Sequence, residues 1–374
     1  MTQNFEQIVI GGGAMGLATA WQLAQRGVKT LLLEQFEFGH DRGASHGAAR
    51  NLNNAYLEDH YLDLYDLSLS LYRELEAASG AELLTVAGLV TIGPDSRITP
   101  IFTKLTERGA PVEWLEADEA ARRWPGIRFE DRVLLSHQAG RIQSAQVLEA
   151  LHEQAAAHGA DLRAGTRVIS IEELPAGGAA VTALSASGEE LRFTANGVVS
   201  TVGAWTTKLV GDQIRLPQLT VTEEHPAHFQ PTAECAQADW PSFNHLIAAD
   251  PTTGTGDVYG MLTPGEGVKV GFHCTGAEVD PDARAFRGSD TNRDALRAHV
   301  SQFFPGLDAD SAEEISCTYT TSAQGDFILD RRGAITIGAG FAGEGFKFVP
   351  AIGKTLADIA LGTGTAAPAF QLPE

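Results

Sequence analysis

The spacing of apolar residues changes twice within the first 34 positions. Ile8, Val9 and Ile10 form a continuous β-branched run, the mark of a buried strand. Leu17, Ala20, Trp21 and Ala24 then recur at i, i+3, i+4 and i+7, which predicts a helix stopped by Gly27. A second apolar run, Thr30 to Leu33, predicts another strand and ends on Glu34. Between the first strand and the helix stand Gly11, Gly13 and Gly16 in the order G-x-G-x-x-G. Gly11 permits the tight turn, Gly13 lets backbone approach a pyrophosphate, and Gly16 lets helix pack on strand. The free N–H groups at the helix start favour phosphate. Glu34 follows Gly13 by 21 residues (34 − 13), where an acid accepts hydrogen bonds from ribose hydroxyls. Together these features predict a dinucleotide site. FAD and NAD fit it alike; Glu34 argues against the 2′-phosphate of NADP.

The pattern continues with a polar, glycine-rich connection at 39–50, long enough to be functional and able to wrap a cofactor. Tyr61, Leu64, Leu71, Leu75 and Ala78 share one face of a helix ending at Gly80. Short strand-like runs follow over 83–92, then a charged helical piece and the turn Trp124-Pro125-Gly126. Ser144 reads as the N-cap of a helix that reaches His158 and stops at Gly159. Strand signals at 168–171, 181–184 and 191–194, and a separate one at 197–204, suit a return to the sheet of the first domain. From 216 to 317 short alternating runs with Gly, Pro and Asp turns predict an antiparallel sheet in a second domain. Ala334 to Gly338 reads as a strand and 340–348 as a glycine-rich turn. Pro350 starts a helix with Ile352, Thr355, Leu356 and Ile359 on one face. Residues 363–374 read as a tail.

Composition narrows the function. A chain of 374 residues suggests two domains, and no apolar run approaches the length of a membrane span. The first residues carry no secretory signal pattern. The net charge of −21 argues against nucleic acid or an anionic membrane as partner. Cys235, Cys274 and Cys317 are far apart and odd in number, with no CxxC. They exclude a disulfide framework and a cysteine-rich metal site, and suit a cytoplasmic enzyme.

Several stretches extend the reading beyond the glycine motif: SHGAAR at 45–50, GAWT at 203–206, VKVGFH at 268–273, SCTYT at 316–320 and GAGFAGEGFKF at 338–348. With GGGAMGLATAWQLAQRGVKTLLLE they resemble the D-amino-acid-oxidase-like flavoproteins, within them the monomeric sarcosine oxidase and N-methyltryptophan oxidase group. The resemblance implies an α/β fold: a Rossmann-like FAD-binding domain (1–84, 144–216 and 318–374) with an inserted α+β substrate domain (85–143 and 217–317) built on an antiparallel sheet. It also implies a monomer acting on a small amine and O2. Cys317 matches the cysteine that links through sulfur to the flavin, although a lone cysteine is more often a small buried hydrophobe. Lys269 matches the lysine that activates oxygen, where a cation would stabilise developing superoxide. His273 matches an active-site histidine. His46 and Arg50 match a basic pair beside the flavin ring. Lys269, His273 and Arg50 are therefore the expected catalytic residues.

By the same resemblance the cofactor is expected against Gly11, Gly13, Ala14, Met15, Gly16, Glu34, Ser45, His46, Arg50, Val168, Gly203, Cys317, Gly340, Phe341, Gly343, Gly345, Phe346 and Lys347. Tyr259, His273, Tyr319 and Lys347 are expected around the substrate, with Asn53 and Glu344. These last two depart from the group. Asn53 stands where the group has a second, carboxylate-clamping arginine, and Glu344 stands where it has a histidine. A neutral amide replaces a charged planar fork, so a substrate other than sarcosine is expected. The resulting expectation is oxidation of the C–N bond of a secondary or N-methylated amine to an imine, with O2 reduced to H2O2. Alternatives are a flavin dehydrogenase with another electron acceptor, a nicotinamide dehydrogenase, and a ligand-binding module without catalysis.

Overall fold

A computed structural model describes residues 3–250 and 255–373. Its α/β sheet has five parallel strands in the order Ile335–Ala339, Glu190–Ser200, Gln3–Ile10, Thr30–Leu33 and Asp161–Arg163. Gln3–Ile10 is central, and its Ile8, Val9 and Ile10 are buried on both faces, as a parallel sheet requires. The helix Ala14–Gln25 lies against the C-terminal helix Val349–Leu361, where Gly353 brings the two backbones together: a Cβ there would stand 2.6 Å from the Ala18 carbonyl carbon. A hairpin, Thr166–Glu173 with Ala179–Ser185, extends the sheet antiparallel on one side.

The second large sheet is mostly antiparallel, as expected, in the order Glu313–Glu314, Ala227–Phe229, Gly267–Phe272, Val258–Thr263, Ser242–His245, Leu89–Ile92, Val133–Ser136 and Val112–Leu115. Its one parallel pair joins Ser242–His245 to Leu89–Ile92. Two small three-stranded sheets contribute further site residues. Ala49–Leu52 pairs with Gly140–Gln143, and Leu219–Glu224 pairs with Cys317–Ser322. Among the described residues no helix is long and apolar enough to cross a membrane, and no group of three or more His, Cys, Asp or Glu could hold a metal.

Three local expectations are corrected. Ser144 is the first helical residue rather than the cap: its Oγ donates to the Gly47 carbonyl at 2.8 Å and its N–H to Ala48 O at 2.9 Å. The signals at 191–194 and at the start of 197–204 belong to one strand, Glu190–Ser200. Along one edge its first half pairs with the hairpin and its last residues with Ile335–Ala339, while Gln3–Ile10 runs along the other edge. The C-terminal segment is not a loose tail, because the Phe370 ring stacks 5.5 Å from Phe327 and meets Tyr61 edge-on.

Behind the second sheet, the helix Asp290–Phe303 presses His299 against His245, with ring centroids 5.1 Å apart. Both are buried, and His245 Nδ1 and His299 Nε2 have no hydrogen-bond partner. Burial lowers both imidazoles to about 4, Asp257 pulling His245 the other way. The unfolded chain therefore binds more protons between about 6.5 and 4. The stability that neutral rings provide above 6.5 is lost as pH falls through that window. His299→Phe, which keeps a ring among Phe272, Phe303 and Phe304, is expected to reduce the loss between pH 7.5 and 5 by about 1–3 kcal/mol in urea unfolding. An unchanged loss would assign the acid sensitivity to other groups.

Candidate active site

The carboxyl ends of the parallel strands open onto a cavity of about 1280 Å³ that runs on to the second sheet. Pockets for single drug-sized ligands are about 300–1000 Å³, so this larger cavity has room for a dinucleotide together with a small substrate. At one end the strand Gln3–Ile10 turns at Gly11, whose φ is +98° and whose added Cβ would meet the Thr201 carbonyl oxygen at 2.7 Å. Gly13 caps the helix Ala14–Gln25 without a side chain, and Ser45 Oγ reaches in to accept from Ala14 N at 3.0 Å. Glu34 is buried, with Oε2 accepting from Gly12 N at 2.6 Å and Oε1 from Phe36 N at 2.8 Å. These bonds fix a carboxylate at the cavity wall. Glycines at the turn, a helix start and an oriented acid are what a flavin dinucleotide needs.

Lys269, Arg50, His46, Cys317, Tyr259 and Tyr319 line the far part of the same cavity. Strand alternation explains Lys269. Its neighbours Val268 and Val270 enter the core of the second sheet, while Lys269 points the opposite way. Its Nζ donates to Ala49 O at 3.3 Å, and it is only 4% exposed. Burial, reinforced by the Arg50 charge, lowers its ammonium to about 7. Arg50 donates through Nη1 to its neighbour Ala49 O, and through Nη2 to Ala44 O and His46 O, so the loop at 39–50 wraps its guanidinium. His46 is not a second cation: burial and then Arg50 lower its ring to about 4. Cys317 is half-buried on the wall, Sγ 3.9 Å from Ala44 O. Tyr319 follows it on the same face of its strand, and burial raises both cavity tyrosines above the usual phenol range.

The turn between Gly340 and Phe348 forms another wall. Gly343, at φ +73°, lies flat on Tyr319, where an added Cβ would stand 2.0 Å from the ring. Glu344 faces the cavity, Oε1 3.7 Å from His273 Nε2 and Oε2 accepting from Tyr56 OH at 3.3 Å. Lys347 is buried and donates to Tyr56 OH at 2.8 Å and Glu344 O at 2.9 Å. Burial lowers its ammonium to about 8, with the Glu344 carboxylate pulling it back up. Asn53 also lines the cavity, but its Oδ1 accepts from Ala55 N at 2.7 Å and closes a local turn. Of the other expected cofactor residues, Met15, Val168, Gly203, Phe341, Gly345 and Phe346 lie on the wall. Gly16 and Gly340 do not. Gly16 packs against the Gly11 carbonyl, and Gly340 takes a left-handed turn at φ +73° behind the wall.

A sequence profile of the family described as FAD dependent oxidoreductase (DAO) matches residues 7–359. The chain belongs to this family. It is 31% identical to the monomeric sarcosine oxidase of Bacillus sp. (strain B-0618), over 96% of this chain and 93% of the relative. It is 32% identical to the monomeric sarcosine oxidase of Streptomyces avermitilis, over 98% and 96%. The solved structure of NikD, described as an unusual amino acid oxidase essential for nikkomycin biosynthesis, superposes with a TM-score of 0.86 at 28% identity, covering 99% of this chain and 98% of that one. FAD is therefore the cofactor of this FAD-dependent oxidoreductase.

Two parts of the site escaped the sequence reading. Tyr56 joins Lys347 to Glu344, and only its nearness to Asn53 in the chain signals it. Arg284, fully buried, bridges Glu223 at 3.2 Å, Arg42 O at 2.7 Å and Ser316 Oγ at 2.6 Å. It ties the cofactor loop to the residue before Cys317. Nothing in the sequence around Arg284 signals that contact.

Proposed function

We infer that this protein is an FAD-dependent amine oxidase that converts the C–N bond of a secondary or N-methylated amine or amino acid to an imine, with O2 reduced to H2O2. The observation that carries the reading is the pairing of a buried, cavity-facing Lys269 with Arg50 and Cys317 on the walls of one cavity that starts at the dinucleotide motif. Bound there, the flavin supplies the two-electron acceptor and passes those electrons on. The protein's own groups supply position and field. Arg50 and the protonated form of the buried Lys269 set a positive potential at the wall, which favours charge developing on oxygen and argues for an oxidase over a dehydrogenase with another acceptor. The thiol of Cys317, on the wall beside the Ala44 carbonyl, supports a covalent link to the flavin. His273 and the two cavity tyrosines shape the substrate end without any need for a dedicated base.

The substrate is not sarcosine itself. Lys347 is engaged by Tyr56 and the Glu344 carbonyl, Asn53 is committed to its own turn, and Glu344 adds a negative charge at that wall. The purified protein is expected to be yellow and to keep its colour in the pellet after acid precipitation. Cys317→Ser is expected to release the colour to the supernatant. Peroxide should form with secondary amines. A colourless protein that takes up no added FAD would overturn the reading; colour released from the unaltered protein would overturn the Cys317 link alone.

A further inference from the structure

Glu344 sits between Gly343 and Gly345 on the cavity wall, and its two oxygens have different surroundings. Oε2 closes a short chain in which Lys347 Nζ donates to Tyr56 OH and Tyr56 OH donates to Glu344. Lys347 also donates to the Glu344 carbonyl, so its charge is satisfied within the turn. Oε1 is aimed at His273 Nε2 but stands 3.7 Å away, beyond hydrogen-bond reach. The His273 ring lies 5.5 Å from that of Tyr319, which is itself packed against the Gly343 backbone. A carboxylate oxygen with spare acceptor capacity beside aromatic rings is an acceptor site for an organic cation. An α-carboxylate placed there would instead meet a like charge.

We propose that the Glu344 carboxylate anchors the ammonium nitrogen of the incoming substrate and takes up its proton before the free amine is oxidised, so that the natural substrates are amines with no carboxylate on the adjacent carbon. This deepens, and rests on, the amine-oxidase reading above. Asn53 agrees with it, since its carbonyl oxygen is tied to Ala55 N and it offers no cation to an incoming carboxylate.

The test uses the flavin-loaded enzyme and two probes of one shape: choline, and 3,3-dimethyl-1-butanol, in which carbon replaces the charged nitrogen. Neither contains a secondary amine, so binding is read from the perturbation of the flavin absorption rather than from turnover. The unaltered enzyme is expected to bind choline at least about tenfold more tightly than the alcohol. Glu344→Gln is expected to abolish the preference and Glu344→Asp to keep most of it. Equal binding of the two probes by the unaltered enzyme would overturn the proposal, as would a preference that survives in Glu344→Gln. The comparison on the unaltered enzyme decides the matter even where Glu344→Gln fails to fold. Absence of flavin absorption, or of peroxide with every secondary amine, would sink the amine-oxidase reading itself, a result distinct from a flavoenzyme indifferent to charge.

Discussion

Replacing Lys269 with methionine is expected to slow reoxidation of the reduced enzyme by oxygen about 10²–10³-fold, the range seen when one preorganised electrostatic group is removed from a reacting centre. Methionine keeps an unbranched stem in the buried slot and removes the ammonium that Ala49 O holds at 3.3 Å. Anaerobic reduction by a substrate should change far less, because the substrate's electrons leave before oxygen arrives. Rapid-mixing absorption of the two half-reactions separates these effects. Reoxidation at the original rate would remove Lys269 from oxygen chemistry. Equal slowing of both halves would point to a general disturbance of the wall.

Gly16→Ala carries the largest expected structural effect. A Cβ at Gly16 would lie 1.8 Å from the Gly11 carbonyl oxygen and 2.8 Å from Thr201 Oγ1. Neither atom can retreat easily. Thr201 Oγ1 shares its one proton between Ile10 O at 2.9 Å and Gly11 O at 3.2 Å, which locks the strand end to the turn. Overpacking ordinarily costs about 1–3 kcal/mol; a methyl driven into backbone should exceed that and lift the helix from the site of the pyrophosphate. The variant is expected to be poorly soluble and to carry little flavin per chain. Gly27→Ala is the comparison. Its φ of +76° is unfavourable, but a Cβ there meets nothing within 4 Å. It should cost only about 1 kcal/mol and keep its colour. Equal flavin content in the two variants would contradict the close-packing account of Gly16.

What the sequence revealed and what it concealed follow one physical division. The strand–glycine–helix–acid unit was legible because each part is fixed by neighbours within about one turn or strand. Lys269 was legible only through the resemblance carried by VKVGFH; by itself it reads as a solvated strand lysine, and alternation between buried valines is what turns it toward the cavity. Ser144 misled because serine at a helix start ordinarily caps it; here the hydroxyl serves the loop that carries Arg50. The parallel pairing of Leu89–Ile92 with Ser242–His245 left no trace in either segment, since register between distant strands is set by the rest of the sheet. Arg284 was invisible for the same reason. A buried arginine is unremarkable in sequence until Glu223 and Ser316 are known to meet it.

The central position of Gln3–Ile10 bears on how the chain leaves the ribosome. This strand is made well before its neighbour Glu190–Ser200, and Ile335–Ala339 beyond that neighbour comes later still. At roughly 5–20 residues per second, the stretch between Ile10 and Glu190 takes on the order of ten to thirty seconds to synthesise. Throughout that time an apolar strand has an unpaired edge, a template for association with other nascent chains. Slowed translation or lower growth temperature should therefore change soluble yield through the waiting time of one strand, with the stability of the finished enzyme unaltered.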